Sequence, residues 1–149
     1  MNNPENFNLL YSRLILSQLT KYGITNFILS PGLRNAPLMN ALKYLENIDV
    51  KVSIDERAAA YMAIGQFNAT GIPSVLICTS GTAIANYYPA LLEAQKSNIP
   101  MIIISADRPQ ELHFESSNQT MDQLNIFKTL KDSTLNLPVQ DKGMHLQSC

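Results

Sequence analysis

The chain has 149 residues, 46% of them hydrophobic and 15% charged, with six glycines and eight prolines. Those proportions fit one globular domain and exclude a collagenous or low-complexity chain. Eleven Lys and Arg against twelve Asp and Glu leave a net charge of -1, so no whole-chain basic field exists to hold nucleic acid or an anionic membrane.

Two cysteines, Cys78 and Cys149, make neither a disulfide framework nor a structural zinc site. The N-terminal Met1-Asn2-Asn3-Pro4-Glu5-Asn6 lacks the basic and apolar regions of a signal peptide. The longest aliphatic runs, such as Met101-Ile102-Ile103-Ile104, fall far short of the roughly 20 residues that span a bilayer. A domain of this size buries about 68–70% of its unfolded surface and needs no covalent staple. The expectation is a soluble, cytoplasmic domain.

In chain order, apolar residues Phe7, Leu10, Tyr11, Leu14 and Leu19 recur at mostly helical spacing over 7–22, with Gly23 as the stop. Phe27-Ile28-Leu29 reads as a buried strand entering the turn Ser30-Pro31-Gly32. A helix over 36–45 follows, then an alternating strand over 50–54 that ends at Asp55-Glu56-Arg57. The alanine-rich 58–69 is a strong helix closed by Gly71 and Pro73. The pattern then repeats: strand 74–78, turn Thr79-Ser80-Gly81-Thr82, helix 83–96, strand 101–105. A weaker helix is expected over 121–130, and 131–149 has no clean period and reads as loosely ordered. Strands alternating with helices imply an α/β fold: an open, mostly parallel sheet with helices on both faces.

Open parallel sheets bind ligands outside the carboxyl ends of their strands. The four strand exits here are Ser30-Pro31-Gly32-Leu33-Arg34, Asp55-Glu56-Arg57, Thr79-Ser80-Gly81-Thr82 and Ala106-Asp107-Arg108-Pro109. Three of the four arginines (Arg34, Arg57 and Arg108) stand at those exits. The guanidinium fork suits bidentate capture of carboxylate or phosphate, so an anionic small molecule is one reading. Pairing with Asp55, Glu56 or Asp107, merely tying loops together, is the other. Glu56, where a strand meets a helix, is either a first-turn acid complementing the helix dipole or a carboxylate poised to exchange a proton with a ligand nitrogen. Thr79-Ser80-Gly81-Thr82 could hold an anion or simply cap a helix. Neither a P-loop, a Gly-x-Gly-x-x-Gly run nor a Gly-x-Ser-x-Gly elbow occurs. His113 and His145 are isolated, and Cys78 inside an apolar strand reads as inert core.

Taken together and in order, five separated motifs resemble the N-terminal domain of the menaquinone-pathway 2-succinyl-5-enolpyruvyl-6-hydroxy-3-cyclohexene-1-carboxylate synthases (MenD). They are Ser30-Pro31-Gly32-Leu33-Arg34, Asp55-Glu56-Arg57-Ala58-Ala59, Thr79-Ser80-Gly81-Thr82-Ala83, Asn86-Tyr87-Tyr88-Pro89-Ala90 and Ala106-Asp107-Arg108-Pro109. Asn118-Gln119-Thr120-Met121-Asp122-Gln123 extends the likeness, which runs from about Leu9 to Val139. The resemblance implies a thiamine-diphosphate enzyme that decarboxylates 2-oxoglutarate and adds the succinyl unit to isochorismate, with magnesium held by a C-terminal domain. It implies that Glu56 hydrogen-bonds the cofactor's pyrimidine nitrogen and promotes the imino tautomer. Pro31, Gly32 and Thr82 would line the cofactor cleft, and Arg34, Arg108, Asn118 and Gln119 would hold the acidic substrates.

Two departures from the family pattern stand out. Leu33 occupies the place of the second serine in Ser-Pro-Gly-Ser-Arg, removing a hydroxyl able to bond substrate or cofactor. Family members are also several times longer, and their Gly-Asp-Gly…Asn metal motif does not occur here. The expectation is therefore one pyrimidine-binding domain over 7–139, with 140–149 frayed or unrelated, that binds cofactor feebly and turns nothing over alone. In the family the cofactor sits between this domain and the diphosphate-binding domain of another subunit, which implies a homo-oligomer. Two other readings compete: a separate pyrimidine-domain subunit of a two-chain 2-oxo acid decarboxylase, such as sulfopyruvate decarboxylase, and a non-catalytic truncated remnant.

Overall fold

The structure is a computed structural model that describes residues 7–108, 118–130 and 137. Helix α1 (Phe7–Lys21) leads to strand β1 (Asn26–Leu29), then α2 (Ala36–Leu42), β2 (Asp49–Val52), α3 (Glu56–Thr70), β3 (Ser74–Cys78), α4 (Thr82–Ala85), α5 (Tyr88–Lys96) and β4 (Met101–Ser105). The four strands form one parallel sheet in the order β2-β1-β3-β4. Chain direction across the sheet therefore reverses between β1 and β3, and ligands of open α/β sheets sit beside such a reversal.

Both faces of the sheet are covered, so its central strands are buried at every position and, after Asn26 and Ser74 at their starts, apolar throughout rather than at alternate positions. Phe27, Leu29, Val75 and Ile77 point to one face and pack with Leu16, Leu38, Ala41 and Leu42 from α1 and α2. Ile28, Leu76 and Cys78 point to the other and meet Ala59, Ala60, Ala63, Tyr87 and Ala90 from α3 and the α4–α5 region. Burying a side chain such as Phe27 or Ile77 contributes about 1.5–3 kcal/mol. The small alanines let α3 lie close to the sheet. Asp55 caps α3 by accepting a 2.7 Å hydrogen bond from the Ala58 amide, and Gly71 closes it at φ +71° with a bond to the Phe67 carbonyl.

Two expected helices differ in the structure. The helix expected over 83–96 is broken into α4 and α5 by a turn at Asn86 and Tyr87. Pro89 is the cause: it has no amide hydrogen to give to Ala85, and its ring crowds the preceding turn. The helix expected over 121–130 is instead a string of turns, closed by short bonds from the Gln123, Lys128 and Leu130 amides to the Met121, Asn125 and Phe127 carbonyls. Asp122 takes the Asn125 amide with its side chain, an alternative to helical pairing. What seats this segment is tertiary: Phe127 is buried in the core and its ring stacks on Tyr88 at 5.9 Å. The expected ends at 131–149, Leu137 apart, and the histidines lie outside the described residues.

Candidate functional site

The β1 exit is a fixed loop. The Ser30 amide donates to the Ile77 carbonyl at 2.8 Å, extending the sheet pairing past the end of β1. Asn35, fully buried, then uses both ends of its amide: Oδ1 accepts from the Gly32 amide and Nδ2 donates to the Ser30 carbonyl, each at 2.9 Å. This pins Pro31 and Gly32 over the sheet. A Cβ at Gly32 would lie 2.6 Å from Thr79 Cβ, so only glycine lets the β1 loop rest on the β3 exit. Leu33 projects into solvent, 87% exposed, and Arg34 is exposed beside it. Among the described residues Arg34 and Arg57 form no ion pair, so the loop-tying reading of these two arginines finds no support.

At the β2 exit, Glu56 is the first residue of α3 and is half-buried. Its Oε2 accepts a 3.1 Å hydrogen bond from Asn86 Nδ2, which brings the turn between α4 and α5 to the head of α3. Oε1 takes no hydrogen bond from the described residues. Glu56 is thus both a first-turn acid and a carboxylate oriented by a neighbour, with one oxygen available to a ligand.

At the β3 exit, Gly81 adopts φ +75° and ψ -136°, a conformation that suits glycine, and precedes α4 without a side-chain cap. The Ser80 hydroxyl turns inward rather than capping the helix, and is buried with no hydrogen-bond partner among the described residues. Ser30 Oγ and the Tyr87 hydroxyl are buried in the same state. Tyr87 lies against Cys78 and Ser30. Burial pushes the Cys78 thiol up to about 12, and the Glu56 charge adds to the rise while contact with Tyr87 opposes it. The Tyr87 phenol is driven up as well, by burial first and then by the neighbouring Cys78. Both groups are neutral at physiological pH, and Cys78 is the inert core residue that its strand context suggested.

At the β4 exit, Arg108 Nη2 donates to the Asn118 carbonyl at 3.0 Å and the Arg108 amide donates to Asp107 Oδ1 at 2.7 Å. Gln119, at φ +60°, lays its backbone against Gly81. Pro31, Gly32, Glu56, Thr82, Arg108, Asn118 and Gln119 are therefore all carried by segments at the C-terminal end of the sheet, with Arg34 at its exposed rim. A separate groove of about 400 Å³ between α2 and β2, lined by Leu29, Met39 and Val50 among others, has an apolar wall and none of these residues.

Asn35 escaped the sequence reading, although an asparagine a few residues past Ser-Pro-Gly is a recognisable turn signal. Gln123 stands out in the sequence only as the end of the Asn118-Gln119-Thr120-Met121-Asp122-Gln123 motif. Its partners lie 17 to 42 residues away in sequence, and no local pattern announces them.

Residues 11–126 match the family model described as thiamine pyrophosphate enzyme, N-terminal TPP binding domain. Similar curated proteins carry the name 2-succinyl-5-enolpyruvyl-6-hydroxy-3-cyclohexene-1-carboxylate synthase. That of Syntrophus aciditrophicus is 51% identical over 132 residues, which is 88% of this chain and 23% of the relative. That of Chlorobium phaeobacteroides is 47% identical over 138 residues, 93% of this chain and 24% of the relative. That of Haloquadratum walsbyi is 42% identical over 122 residues, 82% of this chain and 20% of the relative. The chain spans about a quarter of the length of the relatives it matches. With its four-stranded parallel sheet and the glutamate at the head of α3, the chain belongs to the thiamine pyrophosphate enzyme family, as its N-terminal cofactor-binding domain.

Proposed function

We propose that this chain is the pyrimidine-binding part of a synthase that decarboxylates 2-oxoglutarate and joins the succinyl unit to isochorismate. The names of the relatives support the reaction. The observation that carries the reading is Glu56 at the head of α3, its Oε2 held by Asn86 and its Oε1 without a hydrogen bond from the described residues.

The residues fit the cofactor's aminopyrimidine. Gly32 and Gly81 let the β1 loop and the Gln119 segment close onto the β3 exit, which would form the floor beneath the ring. Ser30, Ser80 and Tyr87 offer buried hydroxyls close to that floor. Pro31, Gly32 and Thr82 would line the cleft. When bound, thiamine diphosphate supplies the electron sink for decarboxylation and carbon–carbon bond formation. The chain's own task is orientation and proton control. Glu56 Oε1 would hold the proton at the pyrimidine ring nitrogen while Asn86 keeps Oε2 in place. Arg34, Arg108, Asn118 and Gln119 would receive the carboxylates of the acidic substrates, with guanidinium forks giving bidentate contacts.

Magnesium would be held with the cofactor's diphosphate in a second domain, contributed by another subunit of a homo-oligomer. Among the described residues no group of three or more His, Cys, Asp or Glu could hold a metal ion. We place the enzyme in the cytoplasm, with no membrane or nucleic-acid partner; no described helix is long and apolar enough to cross a membrane.

The test joins this chain to the remaining sequence of the Syntrophus aciditrophicus relative and measures synthase turnover. Activity with 2-oxoglutarate and isochorismate is expected, and Glu56→Gln is expected to lower it about 10²-fold to 10⁴-fold, as loss of a positioned acid–base group does. Near-normal turnover of the variant would refute the role given to Glu56.

A further inference from the structure

We propose that Gln123 is the positioning residue that locks the substrate-facing segment onto the cofactor floor; the substrate part of this inference rests on the proposed function. Gln123 is 8% exposed and lies in the string of turns, where no regular pairing holds the backbone. Its Oε1 accepts from the Gly81 amide at 2.7 Å. Its Nε2 donates to Ser105 Oγ at 3.2 Å and to the Ala106 carbonyl at 3.1 Å. One side chain thereby bridges the exits of β3 and β4.

The partners dictate the residue type. The Gly81 amide can only donate and the Ala106 carbonyl can only accept, so one orientation of a carboxamide satisfies both and a flipped one satisfies neither. A carboxylate would meet the Ala106 oxygen without a proton. A hydrocarbon would leave both backbone groups unpaired.

The consequence reaches the site through the backbone. Once Gln123 is anchored, the chain four residues earlier presses on Gly81: a Cβ there would lie 2.8 Å from the Gln119 carbonyl oxygen. Asn118 is drawn to Arg108 by the 3.0 Å bond to its carbonyl. Gln123 thus fixes the spacing between Asn118, Gln119 and Arg108 on one side and the Gly81-Thr82 corner on the other. It touches neither cofactor nor substrate and acts through these residues.

Two measurements test the inference. In the 149-residue chain, amide hydrogen exchange followed by NMR should show Gln123→Ala speeding exchange at Gly81 by about threefold to tenfold, the loss of one hydrogen bond. Amides in the middle of β1 should be unaffected. Unchanged exchange at Gly81 overturns the anchoring. In the joined enzyme, Gln123→Glu should raise KM for the acidic substrates about tenfold at pH 8, with kcat nearly unchanged. Relative to the parent enzyme, that gap should narrow toward pH 6, as the new carboxyl gains the proton that Ala106 requires. A pH-independent ratio, or a loss confined to kcat, overturns the positioning role. A parent enzyme without synthase activity overturns the proposed function instead, and the exchange measurement still decides the anchoring.

Discussion

Asn35→Ala removes the two hydrogen bonds that close the β1 loop and leaves the Gly32 amide and the Ser30 carbonyl without their partner. An unsatisfied buried backbone group costs about 1–3 kcal/mol. Ser30 is only 2% exposed, so its carbonyl pays close to the full desolvation, whereas Gly32 is half-buried and regains some water. The expected loss is about 2–4 kcal/mol, large against the roughly 5–15 kcal/mol of a typical domain. Urea unfolding of the chain, followed by far-UV circular dichroism, reads this directly. With a slope of about 2 kcal/mol/M the midpoint should fall by about 1–2 M at unchanged slope. Asn35→Asp supplies the control: it keeps the acceptor for Gly32 but turns an oxygen toward the Ser30 carbonyl. It should be destabilised at neutral pH and recover on acidification, as the carboxyl gains a proton to donate. A midpoint shift below about 0.3 M for Asn35→Ala would refute the claim that this amide holds the loop.

Gly81→Ala must place a Cβ against the Gln119 backbone at a φ of +75°, so the chain should lose about 1–3 kcal/mol in the same urea assay. A neutral substitution there would contradict the close approach of the two segments. Cys78, buried and with its thiol pushed up to about 12, should resist thiol reagents at pH 8 in a Cys149→Ser background and react only after unfolding. Its linkage has a definite sign. The folded chain keeps the thiol protonated above the ordinary value of 9.0, so this contribution is complete below about pH 9 and is lost as pH rises toward 12. Urea midpoints across that range, compared with Cys78→Ala, isolate the effect; a thiol that labels rapidly in the folded chain would show the burial to be wrong.

The alternation of apolar runs with helical periods determined the element order and the parallel sheet, because each signal is local. Phe27-Ile28-Leu29 and Val75-Leu76-Ile77 are apolar at every position, and only a strand covered on both faces needs that. The strand exits, and with them Glu56 and the arginines, were legible for the same reason: each motif is contiguous in sequence. Pro89 broke a helix that periodicity had drawn unbroken, yet the proline itself was in plain view. What only the tertiary structure decided is which of these segments touch. Asn86 reaches Glu56 across 30 residues, and Gln123 reaches Gly81 across 42. The segment 121–130 takes its conformation from Phe127 in the core and Gln123 under the site, so its weak helical period was overridden. Polar contacts between distant segments leave no periodic trace in a sequence, because folding alone brings their partners together; the buried one at Gln123 also gains strength from exclusion of water.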